Sequence, residues 1–320
     1  MKGLRMKTAT RLGLTIVAMV ALSSCSALQG DSETAGTDVG GGDKGTLQVA
    51  AYNFGESQIV ANVYAGALNA AGEPAEVKTL TNREIIIPAA EDGQIQVVPE
   101  YAGTLTEFLN KQVNGPDAEA LASPDIDVTI KNLRKLGDQV GLVVLNPAEA
   151  RNQNAFAVRQ EFAQEHNLKT LTQLGAYSQQ NPVSVGGPPE CPARPFCLIG
   201  LEDTYDVKVS EFVSLDAGGP LTKSALQQGI VDVGLVLTSD GALEQFGLVI
   251  LADDKNLQAS DNITPVVNAK ADNDAINKTL NAVSAKLTQE SLRQMNYEVD
   301  WERMDPAVVA QNWLKANGLA

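Results

Sequence analysis

The chain has 320 residues, 44% of them hydrophobic, which is enough to bury a sizeable core and excludes disordered, collagen-like and disulfide-dense miniprotein classes. Its 24 basic and 39 acidic residues leave a net charge of −15, which excludes the basic face that a nucleic-acid-binding surface needs. A single histidine, His166, excludes a multi-histidine metal site and leaves almost nothing for a histidine-dependent triad.

The first segment concerns address. Lys2, Arg5, Lys7 and Arg11 precede an uncharged run, Leu12 to Leu22, too short to span a bilayer and matching the apolar region of a secretory signal peptide. Leu22-Ser23-Ser24-Cys25 resembles the lipobox of bacterial lipoproteins, which makes residues 1–24 a signal peptide and Cys25 the lipidated first residue of the mature chain. An ordinary signal peptide with an incidental cysteine is the alternative. Removing the leader takes away four basic and no acidic residues, so −15 becomes −19. Residues 25–45, rich in Gly, Ser, Thr, Asp and Glu, read as a flexible linker that cannot repay the entropy of ordering, and folded structure is expected from Thr46. With Cys25 assigned to lipid, the exported compartment permits Cys191 and Cys197 to pair around Pro192-Ala193-Arg194-Pro195-Phe196; two free thiols are the other option.

Beyond the linker, Leu47 and Val49 open a strand that leads through Asn53-Phe54-Gly55 into a helix over Ser57–Ala71, where Ile59, Val60, Val63, Tyr64, Ala67 and Leu68 recur at helical spacing. A strand at Val77–Leu80 precedes a helix at Arg83–Glu91 that must accommodate Pro88. Ile95–Val98 reads as strand, Thr104–Leu109 and Ile126–Gly141 as helices, and Leu142–Leu145 as strand. The pattern then restarts with strands at Ala155–Val158, Val183–Val185, Phe212–Leu215, Val231–Leu237 and Leu248–Leu251, and a helix at Leu221–Gln228. Ile263–Val267 returns to strand. Helices at Asp272–Leu287, Thr288–Met295 and Asp305–Asn317 close the chain, the last with an Asp305-Pro306 start and a Gly318 stop. Alternation of this kind predicts an α/β chain with mainly parallel sheets and two lobes enclosing a ligand crevice.

The segment Ala50-Ala51-Tyr52-Asn53-Phe54-Gly55-Glu56-Ser57, then Asn82-Arg83-Glu84, Pro88-Ala89-Ala90, Gly93 and Pro99-Glu100-Tyr101-Ala102-Gly103-Thr104, resembles the substrate-binding proteins of osmoprotectant ABC importers, the receptors for glycine betaine, choline and carnitine. Gly200-Leu201-Glu202-Asp203-Thr204-Tyr205, Ala225-Leu226 to Gly229, Val231-Asp232-Val233, Ser239-Asp240-Gly241 and Pro265-Val266-Val267 continue the resemblance in order. It implies a two-lobed type II periplasmic-binding-protein fold with a hinge between the lobes. Residues 46–149 and 263–320 would form lobe 1 and residues 150–262 lobe 2. It also implies a monomeric, lipid-anchored receptor that closes on a small solute and delivers it to a permease served by ATPase subunits, with no cofactor, metal or nucleic acid.

In that family a cage of aromatic rings holds the quaternary ammonium while arginine and hydroxyl donors hold the carboxylate. Carried over by the resemblance, Tyr101 is the motif tyrosine, Thr104 the threonine after it, and Arg194 the carboxylate arginine. Asn154, Leu237 and Asp261 stand where relatives carry cage tyrosines, and Tyr52 replaces an early lysine. Asn53, Asn82, Arg83 and Thr238 flank these positions. Each has a plainer reading: Tyr101 as a packing aromatic, Arg194 as a solvated surface arginine, Asn154 and Asp261 as caps at the hinge strands, Leu237 as core. The departures leave a rebuilt pocket for a polyol, sugar or phenol as the alternative to a quaternary amine. Asp216-Ala217-Gly218-Gly219 is either a ligand-facing loop or an ordinary helix cap. A sensory lipoprotein is a further alternative, and an enzyme on this fold would need a nucleophile beside a base, for which the committed cysteines and His166 offer little.

Overall fold

The computed structural model describes residues 45–320 except Glu190 and Pro195; the signal peptide, Cys25 and nearly all of the linker read from the sequence lie outside the described residues. Among the described residues, ten strands form two five-stranded sheets.

The first sheet takes β1 (Leu47–Tyr52), β2 (Ala75–Leu80), β3 (Val97–Tyr101), β4 (Leu142–Val144) and β10 (Ile263–Asn268) in the order β2-β1-β3-β10-β4. The second takes β5 (Asn154–Arg159), β6 (Val183–Gly187), β7 (Val209–Ser214), β8 (Val233–Leu237) and β9 (Leu248–Leu251) in the order β7-β6-β8-β5-β9. Four of the five strands in each sheet share a direction, as expected of mainly parallel sheets, and one is reversed. β1 runs parallel to β2 and β3, and β6 to β7 and β8, but β10 is antiparallel to both β3 and β4, and β5 to both β8 and β9. The reversed strand in each sheet is the first one laid down after the chain crosses from the other sheet.

The helices follow from local chemistry. α1 (Gly55–Ala70) is apolar nearly all round and lies buried against the first sheet. α2 (Arg83–Glu91) carries Pro88 within it, and α3 (Ala102–Asn114) follows β3 without a break. In α4 (Ile126–Val140), Ile130, Leu133 and Leu136 form the buried stripe, Asp125 accepts from the Asp127 amide at 2.9 Å, and Gly141 at φ +74° ends the helix. Three short helices, α5 (Gln160–Glu165), α6 (Leu171–Ser178) and α7 (Leu198–Tyr205), cover one face of the second sheet, and α8 (Pro220–Gln227) the other. Strand alternation decides which core each β5 residue enters: Phe156 and Val158 face α6 and α7, Ala155 and Ala157 face α8. α9 (Asp274–Ser284), α10 (Gln289–Asp300) and α11 (Pro306–Ala316) return to the first sheet, with Leu280, Leu292 and Trp313 joining the core that holds Ile59 and Leu68.

Two segments cross between the sheets side by side. Ile263 N donates to Ala150 O (2.9 Å), Asn152 N to Asp261 O (3.1 Å), and Arg151 bridges Asn262 in antiparallel sense.

Candidate functional site

The carboxyl ends of β1 and β3 and the start of α2 converge beside these crossing segments. Strand β1 ends in a tight turn, with Phe54 N donating to Tyr52 O at 2.9 Å and Ser57 Oγ accepting from Tyr52 N at 2.8 Å. The turn pushes Phe54 out, 43% exposed, between two tyrosines. The Tyr52 and Phe54 rings lie 6.1 Å apart and nearly parallel (11°), and Phe54 and Tyr101 lie 6.4 Å apart at 26°. Tyr52 and Tyr101 are buried, so the row of three rings presents mainly Phe54 to solvent.

Behind the row stand acids. Tyr52 Oη donates to Glu100, and Tyr101 Oη donates to Glu56 Oε1 at 2.8 Å. Burial, with Glu100 adding to it, pushes the Tyr52 phenol well above its ordinary value; burial and then Glu56 do the same for Tyr101. Each phenol therefore stays protonated as a donor, and a carboxylate acceptor pushes electron density into its ring, which strengthens the attraction of the ring face for a cation. Arg83 pairs with Glu100 through two bonds of 3.0 and 2.8 Å, lies over the Tyr52 ring at 5.6 Å and reaches the Thr104 hydroxyl at 3.0 Å.

Asp261, on the returning crossing segment, accepts from the Thr104 amide at 2.9 Å and so caps the first turn of α3, whose own N-cap residue Tyr101 offers no side-chain acceptor. Burial raises its carboxyl to about 6, against the pull of the Thr104 amide and Arg83 and with Glu100 adding to the rise. Two carboxylates, Glu100 and Asp261, thus act on one guanidinium, while Glu56 stands behind Tyr101 with no salt bridge to a described residue.

Tyr52, Arg83, Tyr101, Thr104 and Asp261 are therefore drawn together. Other candidates fall elsewhere. Asn53 is exposed in the β1 turn, and the Asn82 side chain caps α2 by accepting from Ile85 N at 3.2 Å. Asn154 and Leu237 are register partners across β5 and β8, both half-buried. The Thr238 hydroxyl accepts from Gln153 N (2.9 Å) and donates to Arg151 O (3.2 Å), tying the β8 end to the outgoing crossing segment. Asn154, Thr238, Gln153, Gln258 and Arg293 line a separate cavity of about 330 Å³ that none of the three ring residues borders. Arg194 is exposed within the Cys191–Cys197 disulfide loop and makes no salt bridge with a described residue. In the 216–219 loop the cap is what forms: Asp216 accepts from the amides of Leu221 (3.0 Å) and Thr222 (2.9 Å) at the start of α8, and the Thr222 hydroxyl and these amides hold its carboxyl below the usual range despite partial burial. Sequence reasoning passed over Phe54 and Glu56. The available signal was a large aromatic placed in a strand-to-helix turn, outside the buried stripe of either element.

Residues 45–316 match the family described as the substrate binding domain of ABC-type glycine betaine transport systems. The chain belongs to this family. A glycine-betaine-binding protein of Pseudomonas aeruginosa is 27% identical over 285 residues, covering 86% of this chain and 88% of that one. A carnitine transport binding protein of Listeria monocytogenes is 25% identical over 312 residues, covering 95% and 94%. Among solved structures, a glycine betaine/carnitine/choline ABC transporter protein superposes with a TM-score of 0.76 at 21% identity, covering 85% of this chain and 99% of that one. Apo YehZ from Escherichia coli superposes with a TM-score of 0.72 at 25% identity, covering 86% and 100%. The fold is that of type II periplasmic binding proteins, as the sequence resemblance implied. This member of the glycine betaine family is a solute-binding component of an ABC importer; its homologues are extracytoplasmic binding proteins that work with a permease, and the family is one of receptors, not of enzymes.

Proposed function

We propose that the solute is a quaternary amine of the betaine, choline and carnitine class, held with its methylated nitrogen against Phe54 and the edges of Tyr52 and Tyr101. The observation that carries this is the ring row backed by carboxylates: Phe54 between two tyrosines whose phenols donate to Glu100 and Glu56. A trimethylated nitrogen donates no hydrogen bonds, so polarised ring faces and a net negative surround suit it better than they suit a polyol, which needs paired donors and acceptors. The names of the relatives, for glycine betaine and for carnitine, support the same class.

In this reading residues 46–149 and 263–320 form one lobe, residues 150–262 the other, and the paired crossing segments at Arg151 and Asn262 are the hinge. Closure brings Asn154, Leu237 and Arg194 toward the rings, and Arg194 supplies the partner for a betaine or carnitine carboxylate. The receptor acts as a monomer, anchored through lipidated Cys25 to the outer face of the cytoplasmic membrane, and hands its solute to a permease driven by ATPase subunits.

Calorimetric titration with choline, glycine betaine and carnitine, set against glycerol, sorbitol and glucose, tests the assignment. At least one quaternary amine is expected to bind and the polyols and sugar to stay silent, with Phe54→Ala weakening the amine roughly tenfold, the loss of about 1.4 kcal/mol. Binding of a polyol or sugar with no response to any quaternary amine contradicts it.

A further inference from the structure

Glu56 stands in the first turn of α1, 5% exposed, and no salt bridge to a described residue neutralises it. Its charge is held by three donors from three separate pieces of the fold. Tyr101 Oη and Asn152 Nδ2 each reach Oε1 at 2.8 Å, and Asn296 Nδ2 reaches Oε2 at 2.7 Å. Tyr101 belongs to the ring row, Asn152 to the outgoing crossing segment, and Asn296 to α10. The same Asn296 amide also lies 2.9 Å from Ser239 O, in the loop that follows β8 of the second sheet.

That last contact belongs to a seam between α10 and the segment after β8. Arg293 Nε donates to Thr238 O at 2.7 Å, and Gln289 Nε2 to the same oxygen at 3.1 Å. Gly241 lies so close to α10 that a Cβ there would stand 2.0 Å from Arg293 O. Farther along, Trp301 meets Phe246 edge to face at 5.7 Å. The seam thus joins the two sheets alongside the outgoing crossing segment, whose Arg151 N donates to Gln289 Oε1 (2.9 Å) and whose Arg151 O accepts from Gln289 Nε2 (3.1 Å). Asn152 Oδ1 and Asn296 Oδ1 are buried without a hydrogen-bond partner, so both amides give to Glu56 while their acceptors go unused; this arrangement of the network is incompletely satisfied.

We propose that Glu56 is a positioning residue that couples occupancy of the ring row to the α10 seam, an inference that rests on the reading of two lobes closing on a quaternary amine. The carboxylate fixes the Tyr101 phenol on one side and, through Asn152 and Asn296, the hinge and the second lobe on the other. A buried carboxylate cannot lose one of three donors without an unmet charge, so a shift of Tyr101 on solute binding and a shift of Ser239 on closure are energetically linked.

The seam carries its own reporter, since Trp301 is one of two tryptophans in the chain and Trp313→Phe isolates its emission. Titration with glycine betaine and choline, read by calorimetry and by Trp301 emission, is compared between the Trp313→Phe protein and the same protein carrying Glu56→Gln. The inference expects saturating solute to change Trp301 emission in the parent. In Glu56→Gln it expects affinity at least tenfold weaker and an emission change at saturation less than a third of the parental one. Asn296→Ala, which keeps the Tyr101–Glu56 bond but cuts the tie to Ser239, should lose the emission change with a smaller loss of affinity, and it carries the test should Glu56→Gln fail to fold. Weaker binding with the full emission change overturns the inference, because Glu56 then only orients Tyr101; unchanged binding and emission overturn it as well. If the parent binds no quaternary amine, the solute assignment fails separately. The inference is then decided without solute: unaltered Trp301 emission in Glu56→Gln and Asn296→Ala overturns it, and an altered emission in both upholds the tie.

Discussion

Phe54 concentrates the chemistry of the site at a single side chain. Its ring is the exposed member of the row, and in the proposed binding mode its contribution is electrostatic as well as apolar, so leucine should not replace it. Phe54→Leu is expected to lower quaternary-amine affinity about fivefold, roughly 1 kcal/mol, while Phe54→Tyr preserves it; calorimetry on the two variants separates ring from area. In the proposed site Asp261 is the group expected to give binding a pH dependence. Its carboxyl, raised by burial to about 6, is ionised above that pH and neutral below it, so affinity for a cation should fall as pH drops from 7 to 5. The same raised value means that the folded chain binds this proton more tightly than the unfolded chain does. Its stabilising contribution is therefore complete below about 4 and lost as pH rises through about 6. Asp261→Asn should remove this part of the pH dependence of binding, read by titrations at pH 5, 6 and 7.

At the scale of elements, what was legible in the sequence depended on the length of the periodic run. α2, Arg83–Glu91, and β9, Leu248–Leu251, lie where spacing and flanking residues placed them, and α4 and α11 end within a residue of expectation because Asp125, Gly141, Asp305 and Gly318 mark their boundaries. The short helices α5, α6 and α7 were not separately placed, since six to eight residues complete barely two turns and leave little periodicity to read, whereas α8, of eight residues, was legible through Gly229 just beyond its end. Strand direction was illegible for another reason: β5 and β10 look like any buried strand, and only the crossing segments before them impose reversal. Of the site, Tyr52, Arg83, Tyr101, Thr104 and Asp261 were visible through motif context, whereas the acids that polarise the rings are motif neighbours whose partners lie 45 or more residues away. Packing between short helices makes its own prediction. A Cβ on Gly175 of α6 would stand 1.9 Å from Tyr205 O at the end of α7, a backbone atom that cannot swing aside. Gly175→Ala is expected to destabilise the protein by roughly 3 kcal/mol, measured by urea unfolding, with ring-row residues untouched.

For the whole molecule, each sheet packs its own buried side chains, and the crossing segments and the α10 seam join them; the proposed closure of two lobes would use these joints. The disulfide closes a loop with a sequence separation of only 6, and reducing it should cost roughly 2 kcal/mol of unfolding free energy, seen as a lower urea midpoint in reductant. The central claim is that polarised ring faces, not hydrogen bonds, select the solute, and it is tested most directly by removing methyl groups one at a time. Calorimetric titration with glycine betaine, dimethylglycine, sarcosine and glycine changes the nitrogen and little else. Each demethylation exposes an N–H that the rings cannot satisfy, so affinity should fall stepwise and glycine should not bind. Equal or rising affinity along the series would contradict the account.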